Sequence, residues 1–345
     1  FPAESDVTAI AETLSSHLAV VYAEPDYLAH LIIVPIDPEV STHWALDKIS
    51  LPAAWDAHTG TPDVAIAIID AGIDATHPDL LGKLWTNPGE IAGNGIDDDN
   101  NGRIDDLNGW NLVNNNADLS DSTGHGTEIA GIAGAITNNP VGIAGVCWQC
   151  RLMVVKVAQA GGVANYSDIA EGVLYALQKG AKVINISLGG YSDSITLKNA
   201  VMAAAEHAVV VAGAGNDNST TPFYPAAYAP YVLAVAGTTQ GDQKVATSNY
   251  GPWVSVAAPG EVIRTTFAGG GYGDISGTSA AAPFVAGLAG LLRSQYPDWS
   301  ASLARAQVAM TANSLTGADL TYGWGMGSGR IDAHGALTEQ PRPQL

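Results

Sequence analysis

Positive charge is scarce in this chain. Of its 345 residues only 14 are Lys or Arg, against 34 Asp or Glu, and the formal net charge is −20. Phosphate contact needs a basic face, so nucleic acid is excluded as a partner. Cysteine is almost missing: Cys147 and Cys150 are the whole complement. Two thiols exclude a disulfide-stapled mini-scaffold and a four-cysteine zinc site. Long apolar runs are missing too. The stretch 20–36 is apolar, but Glu24, Pro25, Asp26 and Pro35 interrupt it. Nothing here is long enough to span a bilayer, and no membrane partner is expected. The chain shows no internal repeat and no low-complexity tract. It starts at Phe1 without a basic leader, as expected once a signal peptide has been removed.

What is present points to a compact catalyst. Hydrophobic residues make up 47% of the chain, and there are 39 glycines. That composition buries a large core and allows tight turns. The acidity suits a secreted protein, metal ions, or a saline habitat.

Strands and helices alternate from Ile36 onward. The run Val64-Ala65-Ile66-Ala67-Ile68-Ile69 is continuously apolar, as a buried parallel strand should be. Runs 152–157, 183–186, 209–211 and 232–235 have the same character. Between them, helical spacing covers 127–135, 168–178 and 195–206, and a long alanine-rich helix follows over 279–296. Alternating β and α elements predict an α/β fold with a mostly parallel sheet covered by helices. At the N-terminus, apolar spacing predicts a helix over 6–18, and Val20-Val21-Tyr22 reads as a strand. Pro341-Arg342-Pro343 ends the fold, leaving 339–345 as a tail.

Gly145-Val146-Cys147-Trp148-Gln149-Cys150 holds the two thiols as a C-x-x-C pair. A redox centre, half a zinc site and a small disulfide loop are all open readings. The pair precedes a strand, not a helix, which disfavours the thioredoxin-like reading. A local disulfide in an oxidising compartment is favoured, and so short a loop adds little stability.

Three segments carry the chemistry: Ala67-Ile68-Ile69-Asp70-Ala71-Gly72, Gly124-His125-Gly126-Thr127 and Gly277-Thr278-Ser279-Ala280-Ala281-Ala282-Pro283. Each key residue alone has a bland reading. Asp70 could cap a turn, His125 could be a loop residue between glycines, and Ser279 could be a simple helix N-cap. Together they give an acid at a strand end, a base before a helix and a hydroxyl at a helix N-terminus, where backbone N–H groups favour negative charge. Pro283 is expected in the first turn of that helix, where its missing N–H costs little.

These motifs, in the order Asp, His, Ser, resemble those of the subtilisin-like serine peptidases, the subtilases. The resemblance runs over residues 37–337 and is thermitase-like. It implies a three-layer αβα sandwich and an Asp70–His125–Ser279 triad. Asn216, in Ala212-Gly213-Ala214-Gly215-Asn216, would donate to the oxyanion beside the Ser279 amide. Extended substrate would lie between Gly161-Gly162-Val163 and Ser187-Leu188-Gly189, by strand addition. Phe223 would sit at the base of the main specificity pocket, where relatives commonly carry a small residue. A shallower pocket follows, favouring small or medium side chains. Ala280 replaces a common methionine, which should lower sensitivity to peroxide.

The acidic stretch Asp97-Asp98-Asp99-Asn100-Asn101-Gly102-Arg103-Ile104-Asp105-Asp106 resembles a calcium loop on its own terms. Side-chain oxygens at Asp97, Asp99 and Asn101, then glycine, then the Arg103 carbonyl, follow the EF-hand order. Asn108 stands where a bidentate glutamate belongs, so Asp105 or Asp106 is expected to complete the shell. A second calcium site is implied by the resemblance alone: side chains of Asp37, Asp79 and Asn139, with carbonyls of Ile136, Val141 and Ile143.

The expected organisation is therefore a propeptide remnant or extension over 1–35, carrying the helix and Ala23-Glu24-Pro25-Asp26, then a peptidase domain over 36–338. The expected activity is that of a secreted, extracellular or periplasmic, calcium-stabilised serine endopeptidase of broad specificity. It would be a monomer acting on proteins or peptides, with its own propeptide as inhibitor or chaperone. The rival readings are a processing peptidase for one peptide and a catalytically silent binding protein on the same fold.

Overall fold

The structure, a computed structural model, describes residues 6–27, 34–319 and 321–339. The Pro341-Arg342-Pro343 terminator lies outside the described residues. The chain divides into two compact units, Phe1–Ile32 and Ile33–Leu345.

In the first unit, α1 (Val7–Ser15) starts where Asp6 accepts the Ala9 N–H at 3.0 Å, an ordinary N-cap. Ala11 is the one buried side chain of this helix. The expected strand at Val20-Val21-Tyr22 is not formed: residues 20–27 are irregular, and Val21 is fully exposed. A lone strand with no partner to complete its backbone hydrogen bonds is not stable.

The second unit is built on a seven-stranded sheet. Its strands are β1 (Ala65–Asp70), β2 (Gly109–Asn111), β3 (Arg151–Lys156), β4 (Val183–Ile186), β5 (Val209–Gly213), β6 (Val232–Thr238) and β7 (Val256–Pro259), in the spatial order β2-β3-β1-β4-β5-β6-β7. Every pairing is parallel; Ala65 faces Arg151 and Asp70 faces Lys156, for example. Alternate residues of β1 enter two different cores. Ile66 and Ile68 join one with Ile129, Phe284 and Leu288; Ala65, Ala67 and Ile69 join the other with Ile169, Val173 and Val201. A strand buried on both faces must be apolar throughout, and this is why its sequence does not alternate.

Small helices α2 (Trp44–Lys48) and α3 (Leu51–Ala57) precede β1. On one face lies α4 (His125–Gly134); on the other lie α5 (Tyr166–Gln178) and α6 (Ile195–Ala205). The three-layer α/β arrangement is thus as expected. The hairpin β8 (Ile263–Phe267) and β9 (Gly271–Ile275) then leads into α7 (Thr278–Gln295), which joins the α4 face, followed by α8 (Ala301–Met310) and α9 (Ala333–Thr338). Cys147 and Cys150 form a disulfide, with Cα atoms 5.4 Å apart. Both are fully buried in the α7-side core.

Candidate active site

Because every pairing in the sheet is parallel, the carboxyl ends of its seven strands share one edge, where open α/β sheets collect functional groups. Asp70 is the last residue of β1 and 2% exposed. His125 is the first residue of α4, two residues earlier than the spacing suggested. Asp121 builds that helix start: its carboxylate accepts the N–H groups of Thr123, Gly124 and Thr127 and the Thr127 hydroxyl. Gly126 then lets α4 close onto β1, since a Cβ there would lie 2.0 Å from the Gly72 carbonyl oxygen. The result is contact: His125 Nδ1 lies 2.8 Å from Asp70 Oδ1 and 3.0 Å from Oδ2. Burial alone would depress the imidazole. The Asp70 charge and hydrogen bond, helped by Glu128 and Asp121, outweigh it and raise the pKa from 6.5 to about 9.

Ser279 is the second residue of α7, so its amide is one of the four that no intrahelical acceptor reaches. Pro283 is the sixth residue, not in the first turn as expected. Its missing N–H leaves the Ser279 carbonyl without the i+4 donor of an α-helix. Ser187, just past β4, supplies the substitute: its hydroxyl donates to Ser279 O at 3.2 Å, and Ser279 Oγ donates to Ser187 O at 3.3 Å. Among the described residues no hydrogen bond joins Ser279 Oγ to His125. In this structure the hydroxyl donates to Ser187 O and not to the imidazole. Such contacts often tighten only when substrate binds.

Asn216 follows β5. Its Oδ1 accepts the Thr278 N–H at 2.8 Å and the Thr278 hydroxyl at 3.2 Å, which leaves Nδ2 as its available donor. Asp70, His125, Asn216 and Ser279 all line one cleft of about 450 Å³. Gly162, Ser187, Leu188, Gly189 and Phe223 line it with them. Gly161 and Val163 flank Gly162 in a tight turn, closed by Gly162 N–H to Gln159 O at 2.8 Å and Gln159 N–H to Val163 O at 3.0 Å.

Phe223 lines the cleft close against two glycines. A Cβ on Gly189 would come within 2.7 Å of its ring, and one on Gly215 within 3.0 Å. Tyr191 packs edge-on against it at 5.2 Å, and the Tyr191 hydroxyl donates to Asp217 at 2.6 Å. Reading the sequence did not single out Tyr191 or Asp217. Their pairing crosses 26 residues, and neither sits in a recognisable pattern.

The profile of the subtilase family matches residues 61–325, which contain Asp70, His125, Asn216 and Ser279. The chain belongs to the subtilase family. It is 41% identical to thermitase from Thermoactinomyces vulgaris over 88% of this chain and 99% of that protein. It is 38% identical to a thermophilic serine proteinase from a Bacillus species, over 96% of this chain and 76% of the relative. Among solved structures, a protease from Pseudoalteromonas arctica superposes with a TM-score of 0.76 at 28% identity, covering 88% of this chain and 99% of that one. This subtilase is a serine endopeptidase. Its substrates are proteins or peptides, as the family implies. Among the described residues no helix is long and apolar enough to cross a membrane.

Two acidic regions of the subtilase bring carboxylates together. Asp37 and Asp79 are buried, and burial raises both carboxyl pKa values. Asp37 accepts the Asn138 and Asn139 N–H groups; Asp79 accepts the Ile143 N–H and the Asn139 amide, which also reaches Ile136 O at 3.3 Å. Val141 N–H donates to Asn139 Oδ1 at 2.7 Å. Two desolvated carboxylates, with the Ile136 carbonyl sharing the Asn139 amide, offer hard oxygens of the kind calcium takes. In the 97–106 loop the donors do not converge as the EF-hand order suggested. Asp97 accepts the Asn101 and Gly102 N–H groups, and Asp105 those of Asn94 and Gly95. The Arg103 side chain pairs with Glu171. Asp99 and Asp106 do meet, and with them Glu90, which the motif did not include.

Proposed function

We propose that this subtilase cleaves peptide bonds through Asp70, His125 and Ser279, with Asn216 as oxyanion donor. Ser279 Oγ attacks the scissile carbonyl carbon and passes its proton to His125 Nε2. Asn216 Nδ2 and the Ser279 N–H hold the oxyanion. The C–N bond then breaks, and His125 returns the proton to the leaving amine. Water attacks the acyl-enzyme by the same steps in reverse. Asp70 keeps Nδ1 protonated and stabilises the imidazolium. The reading is carried by one observation: Nδ1 lies 2.8 Å from the buried Asp70 carboxylate, so Nε2 is the ring nitrogen left to act in the cleft. A fluorophosphonate probe tests it. Wild-type protein is expected to be labelled on Ser279 and to lose peptidase activity in step. Labelling elsewhere, or activity retained by Ser279→Ala, overturns it.

The peptide lies extended between the 161–163 turn and Ser187-Leu188-Gly189, and the Phe223 ring restricts P1 to small or medium side chains. Main-chain pairing supports broad specificity. Calcium at the Asp37–Asp79–Asn139 site and in the 97–106 loop stabilises the folded enzyme by neutralising carboxylates. Residues 1–35 belong to an inhibitory propeptide and 36–338 form the peptidase domain. The enzyme is secreted, consistent with its disulfide, and acts as a monomer.

A further inference from the structure

Six carboxylates lie between residues 90 and 106, and each accepts at least one hydrogen bond: Asp99 and Asp106 share the Asn87 amide, Asp99 also accepts the Asn101 N–H, and Asp106 the Tyr175 hydroxyl. Asp97 and Asp105 cap backbone turns, and Asp98 accepts the Ile91 N–H and the Asn94 amide. Oxygens of the other three, Glu90, Asp99 and Asp106, converge to within 4.8 Å of one another. One cationic group reaches them among the described residues: Lys179, at the end of α5, whose ammonium pairs with Asp99 Oδ2 and with Asp106 Oδ2. Three negative charges thus share one positive charge.

Glu90 is the decisive residue. It is 8% exposed. Its Oε1 accepts the Asp98 and Asp99 N–H groups at 3.1 and 3.3 Å, while its Oε2 is buried with no hydrogen-bond partner. Asn101 repeats the pattern: its amide donates to Asp106 Oδ2 at 3.0 Å, and its buried Oδ1 is unpartnered. Buried oxygens with no donor are costly, more so when anionic.

We infer that Glu90, Asp99, Asp106 and the Asn101 carbonyl oxygen form a divalent-cation seat, and that Lys179 is its built-in competitor. An all-oxygen set of this kind selects a hard ion such as calcium. The inference rests on the calcium reading above and relocates the seat, from an EF-hand loop to a junction between that loop, Glu90 and α5. The ammonium uses the same Asp99 and Asp106 oxygens the ion needs, so binding must displace it. Removing one positive charge a few ångströms from a divalent ion is worth on the order of tenfold in affinity.

Calorimetric titration of the whole protein with calcium tests this, using Ser279→Ala as background to prevent autolysis. The background is expected to bind at two sites. Glu90→Gln is expected to lose one site, and Asp79→Asn the other. Lys179→Met is expected to bind about tenfold more tightly at the Glu90 seat. Two sites of unchanged affinity in Glu90→Gln, or weaker binding in Lys179→Met, would overturn the inference while leaving calcium stabilisation standing. No calcium binding in the background protein would overturn both. If Glu90→Gln fails to fold, the sign of the Lys179→Met change decides alone, because a merely structural lysine would weaken the site when lost.

Discussion

The coupling between Asp70 and His125 can be tested by removing one charge. Asp70→Asn keeps the volume and abolishes the carboxylate. In the native protein the folded-state pKa of His125 is raised from 6.5 to about 9, with Asp70 as the strongest raising influence against burial. The neutral imidazole is the working base, so native kcat/KM should fall as pH drops through this raised value. In the variant, burial opposes only the weaker charges of Glu128 and Asp121, and the acidic limb should move at least one pH unit toward 6.5. The plateau should fall by about 10⁴-fold, because an amide no longer enforces the Nδ1–H tautomer. The same shift is linked to stability. A raised histidine pKa stabilises the folded state fully below pH 6.5, and that contribution is lost as pH rises through about 9. The variant's stability should be flatter over that window. The assay is kcat/KM for a chromogenic peptide between pH 5 and about 10, with active sites counted by fluorophosphonate, alongside urea melts. An unmoved acidic limb, or a plateau loss under about tenfold, would refute the proposed coupling.

Phe223→Gly should open the cleft between Gly189 and Gly215 and shift P1 preference toward large aromatics by about tenfold or more, read on a peptide library; an unchanged P1 profile places the specificity elsewhere. Stripping calcium with EDTA should lower Tm by several degrees and speed autolysis, since each site held at 100 times its Kd contributes about 2.7 kcal/mol. Calcium-insensitive melting of metal-loaded protein would count against both sites. Lys244 is 7% exposed, and its ammonium donates to Asn218 Oδ1 and to the carbonyls of Val245, Ala246 and Ser248 at 2.8–3.2 Å. It thereby anchors the loop carrying Asn216, so Lys244→Met should cost about 1–3 kcal/mol of stability. It should also lower kcat severalfold with KM within about twofold; equal effects on both would show that Asn216 does not depend on this anchor.

Much of the fold was legible because buried parallel strands must be apolar on both faces. The runs at 64–69, 152–157, 183–186, 209–211 and 232–235 became β1, β3, β4, β5 and β6 within a few residues. Strand β2 and the β8–β9 hairpin were not legible, being short or rich in glycine and threonine. The segment at 20–22 had strand-like residues and no partner. Glu90 escaped the loop motif because its ligand role depends on a turn that brings it back over Asp98 and Asp99.

The sequence by itself determined the residue types, their order and the elements that present them: an acid ending a strand, a base starting one helix, a hydroxyl starting another. These follow from local periodicity and short motifs, which need no knowledge of distant contacts. Tertiary structure alone decided which oxygens face one another. It turned Asp97 and Asp105 onto backbone amides, brought Glu90 to Asp99 and Asp106, and rested Ser279 on Ser187. Those choices depend on partners from four residues away, as for Asp97 and Asn101, to 92 residues away, as for Ser279 and Ser187, and a side chain's direction is set by whichever partner the packed backbone leaves within about 3 Å.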